Sequence, residues 1–337
     1  MHHVFDSVAA PGSVPARVLA VHRGRVMITG PDGQWMAPIA GALLHSASDG
    51  GVPAAGDWVA ADPGGAVTAV MPRTSALTRF DEARGDEVVA ANVDLALITT
   101  SLNADLNERR LERFVAMARA GGAEPLLLAT KGDLSERPVD EAADVARSLG
   151  VEGTVISVLA GWGVDELRWR LEPGRTAALI GSSGVGKSTL VNALLGEERQ
   201  TTLPIREADS RGRHATRHRE LFLLPHGGLL IDTPGLRLPR MAEVEGIDDT
   251  FADIAELESS CRFTDCSHGT EPGCAVREAI ESGALDPVRL AARDKLEREA
   301  RWAEERRDGP GNAAARARAR AMGKDHKKIL AERPKRE

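Results

Sequence analysis

Gly181-Ser182-Ser183-Gly184-Val185-Gly186-Lys187-Ser188 follows the apolar run Ala177-Ala178-Leu179-Ile180 and leads into Thr189-Leu190-Val191, where a helix is expected to start. Every fixed position of the pattern GxxxxGK[ST] is filled. Glycines let successive backbone N–H groups curl round a phosphate, and the N-terminus of the following helix adds the positive end of its dipole. Residues Gly181 to Thr189 are therefore expected to cradle a nucleotide. Lys187 would reach its β- and γ-phosphates and act in catalysis, and the Ser188 hydroxyl would ligate Mg²⁺.

A loop of this kind needs a parallel sheet, and the flanking sequence supplies one. Val93–Thr99 reads as a buried strand, followed by a helical stretch near 108–120 and a strand over 125–129. A helix near 140–149 and a strand over 154–158 complete the alternation, which predicts a mostly parallel sheet covered on both faces. Downstream, Leu221-Phe222-Leu223-Leu224 and Leu229-Leu230-Ile231 flank Pro225-His226-Gly227-Gly228. That pattern predicts a hairpin at one edge of the sheet.

A phosphate loop does not choose a base. Ala129-Thr130-Lys131-Gly132-Asp133, at the end of an apolar strand, resembles the NKxD base-reading motif of GTPases. In that motif the carboxylate accepts from guanine N1–H and the exocyclic amine, and the Lys stem lies along the base. Thr130 stands where Asn is usual, so one structural contact is expected to change and nucleotide affinity to weaken. Ser157, at the next strand end, resembles the second guanine-contacting loop.

Asp232-Thr233-Pro234-Gly235 matches DxxG after an apolar strand. Asp232 is expected to hold Mg²⁺ through water, and the Gly235 N–H to sense the γ-phosphate. Between these motifs, Gly212-Arg213-His214-Ala215-Thr216-Arg217-His218-Arg219 reads as a switch segment, with Thr216 as the candidate Mg²⁺-contacting hydroxyl. Its basic residues fit either a nucleic-acid contact or a mobile charged loop. Leu236 follows DxxG where a water-orienting Gln is common, so His214 becomes the local candidate for positioning the attacking water.

The base motif precedes the phosphate loop, the reverse of ordinary GTPases. Such an order is expected when original termini lie close together and new ones fall in a surface connection. It also runs the switch strands directly into the C-terminal region, so nucleotide state can reposition that region.

Residues 1–75 show short apolar segments separated by Gly, Pro and Asp turns, which predicts a small all-β barrel. An OB-type barrel is the natural reading, although periodicity does not separate it from an SH3-like one. The central α/β unit is expected over 90–245, a mostly helical unit over 246–310 and a basic tail over 311–337. All three cysteines of the chain lie between Cys261 and Cys274, beside His268. Cys261, Cys266, His268 and Cys274 make a Cys₃His set, the donor chemistry of a closed structural zinc site. Few apolar residues are evident nearby, so the metal is expected to supply much of the folding energy there.

Composition narrows the partners. The formal net charge is −7, yet residues 310–337 hold nine Lys and Arg against three Asp and Glu, which leaves −13 for the rest. An acidic body with a basic end suits an RNA partner met by one end, or equally a solvated helix. Aromatics are 3% with no Tyr, which argues against base-stacking as the main grip on nucleic acid. There is no run of 18 apolar residues and no signal-like N-terminus, so the chain reads as cytosolic, without a membrane partner.

Together these residues resemble the bacterial RsgA/YjeQ-type circularly permuted GTPases, which act late in assembly of the small ribosomal subunit. The resemblance rests on the permuted motif order, on Met71-Pro72-Arg73-Thr74 at the barrel's end, and on the Gly-Arg-His-x-Thr segment. Pro225-His226-Gly227-Gly228 running into the DTPG motif and the Cys-Cys-His-Cys set complete it. It implies an OB-fold that contacts rRNA, a slow GTPase stimulated by the small subunit, and a domain with one structural zinc. Mg²⁺ is expected with GTP from the motifs themselves, and the chain is expected to be a monomer. Ala215 departs from the family's Thr after the switch His. Two functional readings stay open: a hydrolase acting in subunit maturation, and a nucleotide-gated RNA-binding switch in which turnover only drives release.

Overall fold

The computed structural model describes residues 2–22, 24–45, 52–81, 85–102, 106–197, 219–233 and 246–307. A short helix α1 (His2–Val8) precedes the strands β1 (Val14–His22), β2 (Arg25–Gly30) and β3 (Gly33–Pro38). Helix α2 (Gly41–His45) then leads to β4 (Trp58–Ala61) and β5 (Val67–Val70). β1 pairs antiparallel with β2 and β4, β2 with β3, and β4 with β5. A parallel bridge from Ile39 to Val67 joins the end of β3 to β5 and closes the ring. Alternate residues point inward, as period two requires: Ala16, Val18, Val26, Ile28, Val59, Ala61 and Val67 form one core.

The central sheet runs β10 (Glu152–Val155), β9 (Glu124–Thr130), β8 (Leu95–Ser101), β11 (Thr176–Gly181), β13 (Leu229–Asp232), β12 (Glu220–Leu223). All neighbours are parallel except β12 with β13. Helices α3 (Glu108–Ala120) and α4 (Pro138–Ser148) contribute to one core, with Ala96, Ile98, Ala178 and Ile180. Helices α5 (Val164–Arg170) and α6 (Lys187–Leu195) contribute to the other, with Leu95, Leu97, Ala177 and Leu179. Both faces are thus covered, which is why these strands read as unbroken apolar runs.

Two features depart from the sequence reading. The β12–β13 hairpin does edge the parallel sheet, but that edge is not free, because Ala20 of β1 bridges Glu220 and the barrel continues the sheet. Secondly, β6 (Ala76–Asp81) and β7 (Gly85–Ala91) form a separate two-stranded sheet where no element was expected. Leu77, Val89 and Ala90 bury its inner face in the same core as α3. Arg219, the last residue of the expected switch segment and the one residue of it among those described, is pinned to this hairpin through Glu87 Oε1 (2.8 Å) and Val88 O (3.3 Å). Burial pulls the Glu87 carboxyl upward, but the guanidiniums of Arg219 and Arg79 outweigh it and hold it below the usual range.

The barrel is locked to the sheet at Gly56. Its φ is +90°, and an added Cβ would lie 2.2 Å from Ala91 O and 2.8 Å from Ile231 Cδ1. Asn92, itself at φ 53°, donates to Gly56 O (3.0 Å) and accepts from the Thr74 N–H (3.0 Å). Nearby, Arg73 grips the buried Asp57 with two bonds of 2.8 and 2.7 Å. Gly56→Ala therefore meets both a backbone carbonyl and a disfavoured dihedral. We expect a loss of about 2–4 kcal/mol, seen as a lower midpoint in urea unfolding. An unchanged midpoint would mean that the junction yields there.

Helices α7 (Ile247–Thr250), α8 (Ala252–Ser259), α9 (Ala275–Glu281) and α10 (Pro287–Arg307) follow. They enclose Ile247, Phe251, Ile254, Val276, Leu285, Leu296 and Ala300, and bury Ala116 of α3 with them. This corrects the expectation of a metal knot with few apolar neighbours: the unit has an apolar core of its own, assembled from residues far apart in sequence. The Arg113–Glu299 and Arg289–Glu112 ion pairs join α10 to α3, and Phe80 meets Trp302 edge-on at 5.4 Å.

Candidate nucleotide site and metal centre

The C-terminal ends of β8, β9 and β11 lie side by side, Thr99 opposite Gly181 and Ser101 opposite Thr130. Ligands of open α/β sheets bind at such an edge, in the loops that leave the strands. The phosphate loop leaves β11 so close to β8 that a Cβ on Gly181 would sit 2.3 Å from Thr99 O. Gly184 and Gly186 adopt φ of +84° and +100°, left-handed values that curl the loop back before α6 starts at Lys187. The N-terminus of α6, with the positive end of its dipole, thus follows directly on the curl. Lys187 is 7% exposed, and its Nζ donates to Gly181 O (2.8 Å) and Ser182 O (2.6 Å). Ser188 lies in the same turn, with Thr189 after it.

The base motif is tied directly to this loop. Lys131, at φ 55°, reaches across to donate from Nζ to Gly184 O (2.8 Å). The buried Thr130 hydroxyl lies between Thr100 O (2.9 Å) and Val185 O. Thr130 therefore makes the link from strand end to phosphate loop that its difference from Asn put in question. Having a single O–H, it donates to one carbonyl at a time. Asp133 is exposed, and the buried Ser157 hydroxyl donates to its Oδ1, so one carboxylate oxygen is fixed and the other left open. Ser157 in turn accepts from the Ala160 N–H (3.1 Å).

Sequence reasoning missed Trp162. Its backbone pairs with Ser157 in both directions (3.0 and 3.1 Å), closing the second base loop. Its ring packs on the base motif, 2.7 Å from where a Gly132 Cβ would stand. The available signal was Gly161-Trp162-Gly163, five residues beyond Ser157.

On the other side of the phosphate loop, the parallel pairing of β11 with β13 sets Asp232 opposite Leu179. The Thr233 hydroxyl donates to Leu179 O, and Asp232 is buried. Ser188 and Asp232 are oxygen donors of the kind that Mg²⁺ takes. Thr216, His214, Gly235 and Leu236 lie outside the described residues, as does the basic tail.

The four metal-ligand candidates come together as the cysteine count implied. Ligand atoms of Cys261, Cys266, His268 and Cys274 all lie within 4.8 Å of one another. His268 adopts φ 59° and turns Nδ1 toward the thiols, 3.8 Å from Cys261 Sγ and 3.5 Å from Cys274 Sγ. A tetrahedral site with Zn–S near 2.3 Å and Zn–N near 2.0–2.1 Å requires N···S separations of about 3.6 Å. The donor set fits a four-coordinate ion of that size. Among the described residues no helix is long and apolar enough to cross a membrane.

Comparisons with known proteins agree with this layout. The family profile described as RsgA GTPase matches residues 70–242. A protein of Opitutus terrae named small ribosomal subunit biogenesis GTPase RsgA is 42% identical over 323 residues, 90% of this chain and 88% of that one. The crystal structure of YjeQ from Thermotoga maritima superposes with a TM-score of 0.61 at 24% identity, covering 86% of this chain and 98% of the other. YloQ, a circularly permuted GTPase, superposes with a TM-score of 0.57 at 26% identity, covering 89% and 97%. The chain is therefore a member of the RsgA GTPase family, a GTP-hydrolysing enzyme with a circularly permuted fold.

Proposed function

We propose that this GTPase acts in maturation of the small ribosomal subunit, in the cytoplasm and as a monomer, and that contact with the subunit and its rRNA stimulates turnover. The name of the Opitutus relative supports the partner. The observation that carries the nucleotide reading is the pair of links from Thr130 and Lys131 to Val185 O and Gly184 O, which tie the base motif to the phosphate loop. In this reading Asp133 and Ser157 take guanine, and Gly181 to Thr189 take the phosphates. Lys187 leaves the loop carbonyls for the β- and γ-phosphate oxygens. Ser188, and Asp232 through water, would hold Mg²⁺, which would neutralise phosphate charge. The Thr216 hydroxyl would contact Mg²⁺, the Gly235 N–H senses the γ-phosphate, and His214 orients the attacking water.

The barrel is read as OB-type, because five strands close through a parallel bridge between the third and fifth, with a helix between the third and fourth. Its task is to contact rRNA. Residues 1–75, 90–245 and 246–310 serve as barrel, GTPase and zinc units, with 311–337 as a basic arm. The Cys₃His set holds one structural zinc.

The test is GTP hydrolysis by the purified chain with and without purified small subunits. We expect subunits to raise the rate and large subunits to leave it unchanged. Equal rates in all three would overturn the partner. In the same assay, His214→Ala is expected to lose the stimulation. If it keeps the full stimulation, His214 is removed from the mechanism.

A further inference from the structure

The nitrogen of His268 that faces away from the thiols is not idle. Its Nε2 lies 2.8 Å from Glu258 Oε1, on α8. Glu258 is itself held by Arg293 of α10 in a two-pronged contact, Nη1 to Oε1 at 2.7 Å and Nη2 to Oε2 at 2.8 Å. Arg293 is 9% exposed, and its Nη2 also meets Glu297 Oε1 at 2.9 Å. Glu258 and Arg293 lie outside the Cys/His cluster in sequence, and none of the chemistry above uses them.

The geometry points to Glu258 as a positioning residue for the metal. It accepts the Nε2–H of His268, which fixes the tautomer whose Nδ1 lone pair is free for the ion. Arg293 fixes Glu258. The inference rests on the proposed zinc site and deepens it. A carboxylate on the outer nitrogen sets ring orientation and raises the basicity of the ligating one. His268 needs such a guide, because it is the one non-thiolate donor and its backbone stands in the left-handed region. Charge agrees as well. Zinc with three thiolates and a neutral imidazole carries about −1, and a lone carboxylate beside it would be repelled. The guanidinium of Arg293 offsets that repulsion. The chain His268–Glu258–Arg293 also ties the metal loop to α10, the helix that pairs with α3 through Glu299 and Arg113.

The test uses the full chain, with zinc as the probe. Parent, Glu258→Ala and Glu258→Gln are loaded with one zinc, and the metal is withdrawn by a competing chelator. We expect Glu258→Ala to weaken retention about 10–100-fold. Glu258→Gln keeps an oxygen that can accept the N–H and is expected to recover most of that loss. A carboxylate that served only to pair with Arg293 would make Gln as harmful as Ala, and that pattern overturns the inference. So does parent-like retention in Glu258→Ala. Nitrogen-15 spectra of the zinc-loaded parent give a readout independent of stability: His268 should carry its proton on Nε2, and a proton on Nδ1 is fatal. A parent that binds no zinc at all overturns the metal reading itself, an outcome distinct from the other three.

Discussion

Asp133→Asn is expected to lower affinity for GTP about 10²-fold or more and to raise affinity for the xanthine nucleotide. The argument begins at Ser157. Its buried hydroxyl donates to Asp133 Oδ1, so one oxygen is engaged and the second is the one offered to a base. Guanine presents two donors, N1–H and the exocyclic amine, and a carboxylate can accept both. In the Asn variant Ser157 still requires an acceptor, which orients the amide with its oxygen toward Ser157 and its NH₂ toward the base. That NH₂ then faces the exocyclic amine, donor against donor. Each hydrogen bond lost with its partner left unpaired costs about 1–3 kcal/mol. Xanthine carries a carbonyl in place of the amine and so restores the pairing. Displacement of a fluorescent guanine nucleotide by GTP and by XTP measures both effects. If both nucleotides weaken equally, Asp133 holds the loop together and does not read the base.

How much of this was visible beforehand follows from distance along the chain. The phosphate loop, the DxxG strand and the Cys₃His set each lie within a short window, and their chemistry dictates spacing directly. The alternation of Ala96 and Ile98 against Leu95 and Leu97 was also legible, because a strand buried on both faces cannot hide its composition. The β6–β7 hairpin was not. Ala76-Leu77-Thr78-Arg79-Phe80-Asp81 carries only two large apolar side chains, and Leu77 and Phe80 are buried by α3 and α10, elements that arrive later in the chain. For the same reason the apolar core of the C-terminal unit went unseen: Ile247 and Ala300 meet only after α10 folds back. The role of Thr130 failed differently. Sequence marked it as a departure from Asn, and only the nearness of Val185 O to its hydroxyl showed that a shorter side chain still makes the link.

Lys187→Met is expected to cut GTP turnover by about 10²–10³-fold, in line with the loss of one preorganised donor to developing charge. Methionine keeps most of the aliphatic stem, so packing against the buried surroundings survives and only the ammonium is removed. Without nucleotide that ammonium is satisfied by two loop carbonyls, Gly181 O and Ser182 O. Its loss leaves those carbonyls with one partner fewer but relieves a charge held at 7% exposure, so the unfolding midpoint of the nucleotide-free protein should move little. The variant therefore separates chemistry from folding, and it also separates the two readings of the cycle. If turnover only drives release, Lys187→Met loaded with GTP should bind small subunits as the parent does and stay bound, measurable as a slowed dissociation on sedimentation. If the phosphate contact itself sets the binding-competent form, the variant should fail to bind at all. Parent-like turnover would contradict both, since it would mean that no phosphate is held where Lys187 stands.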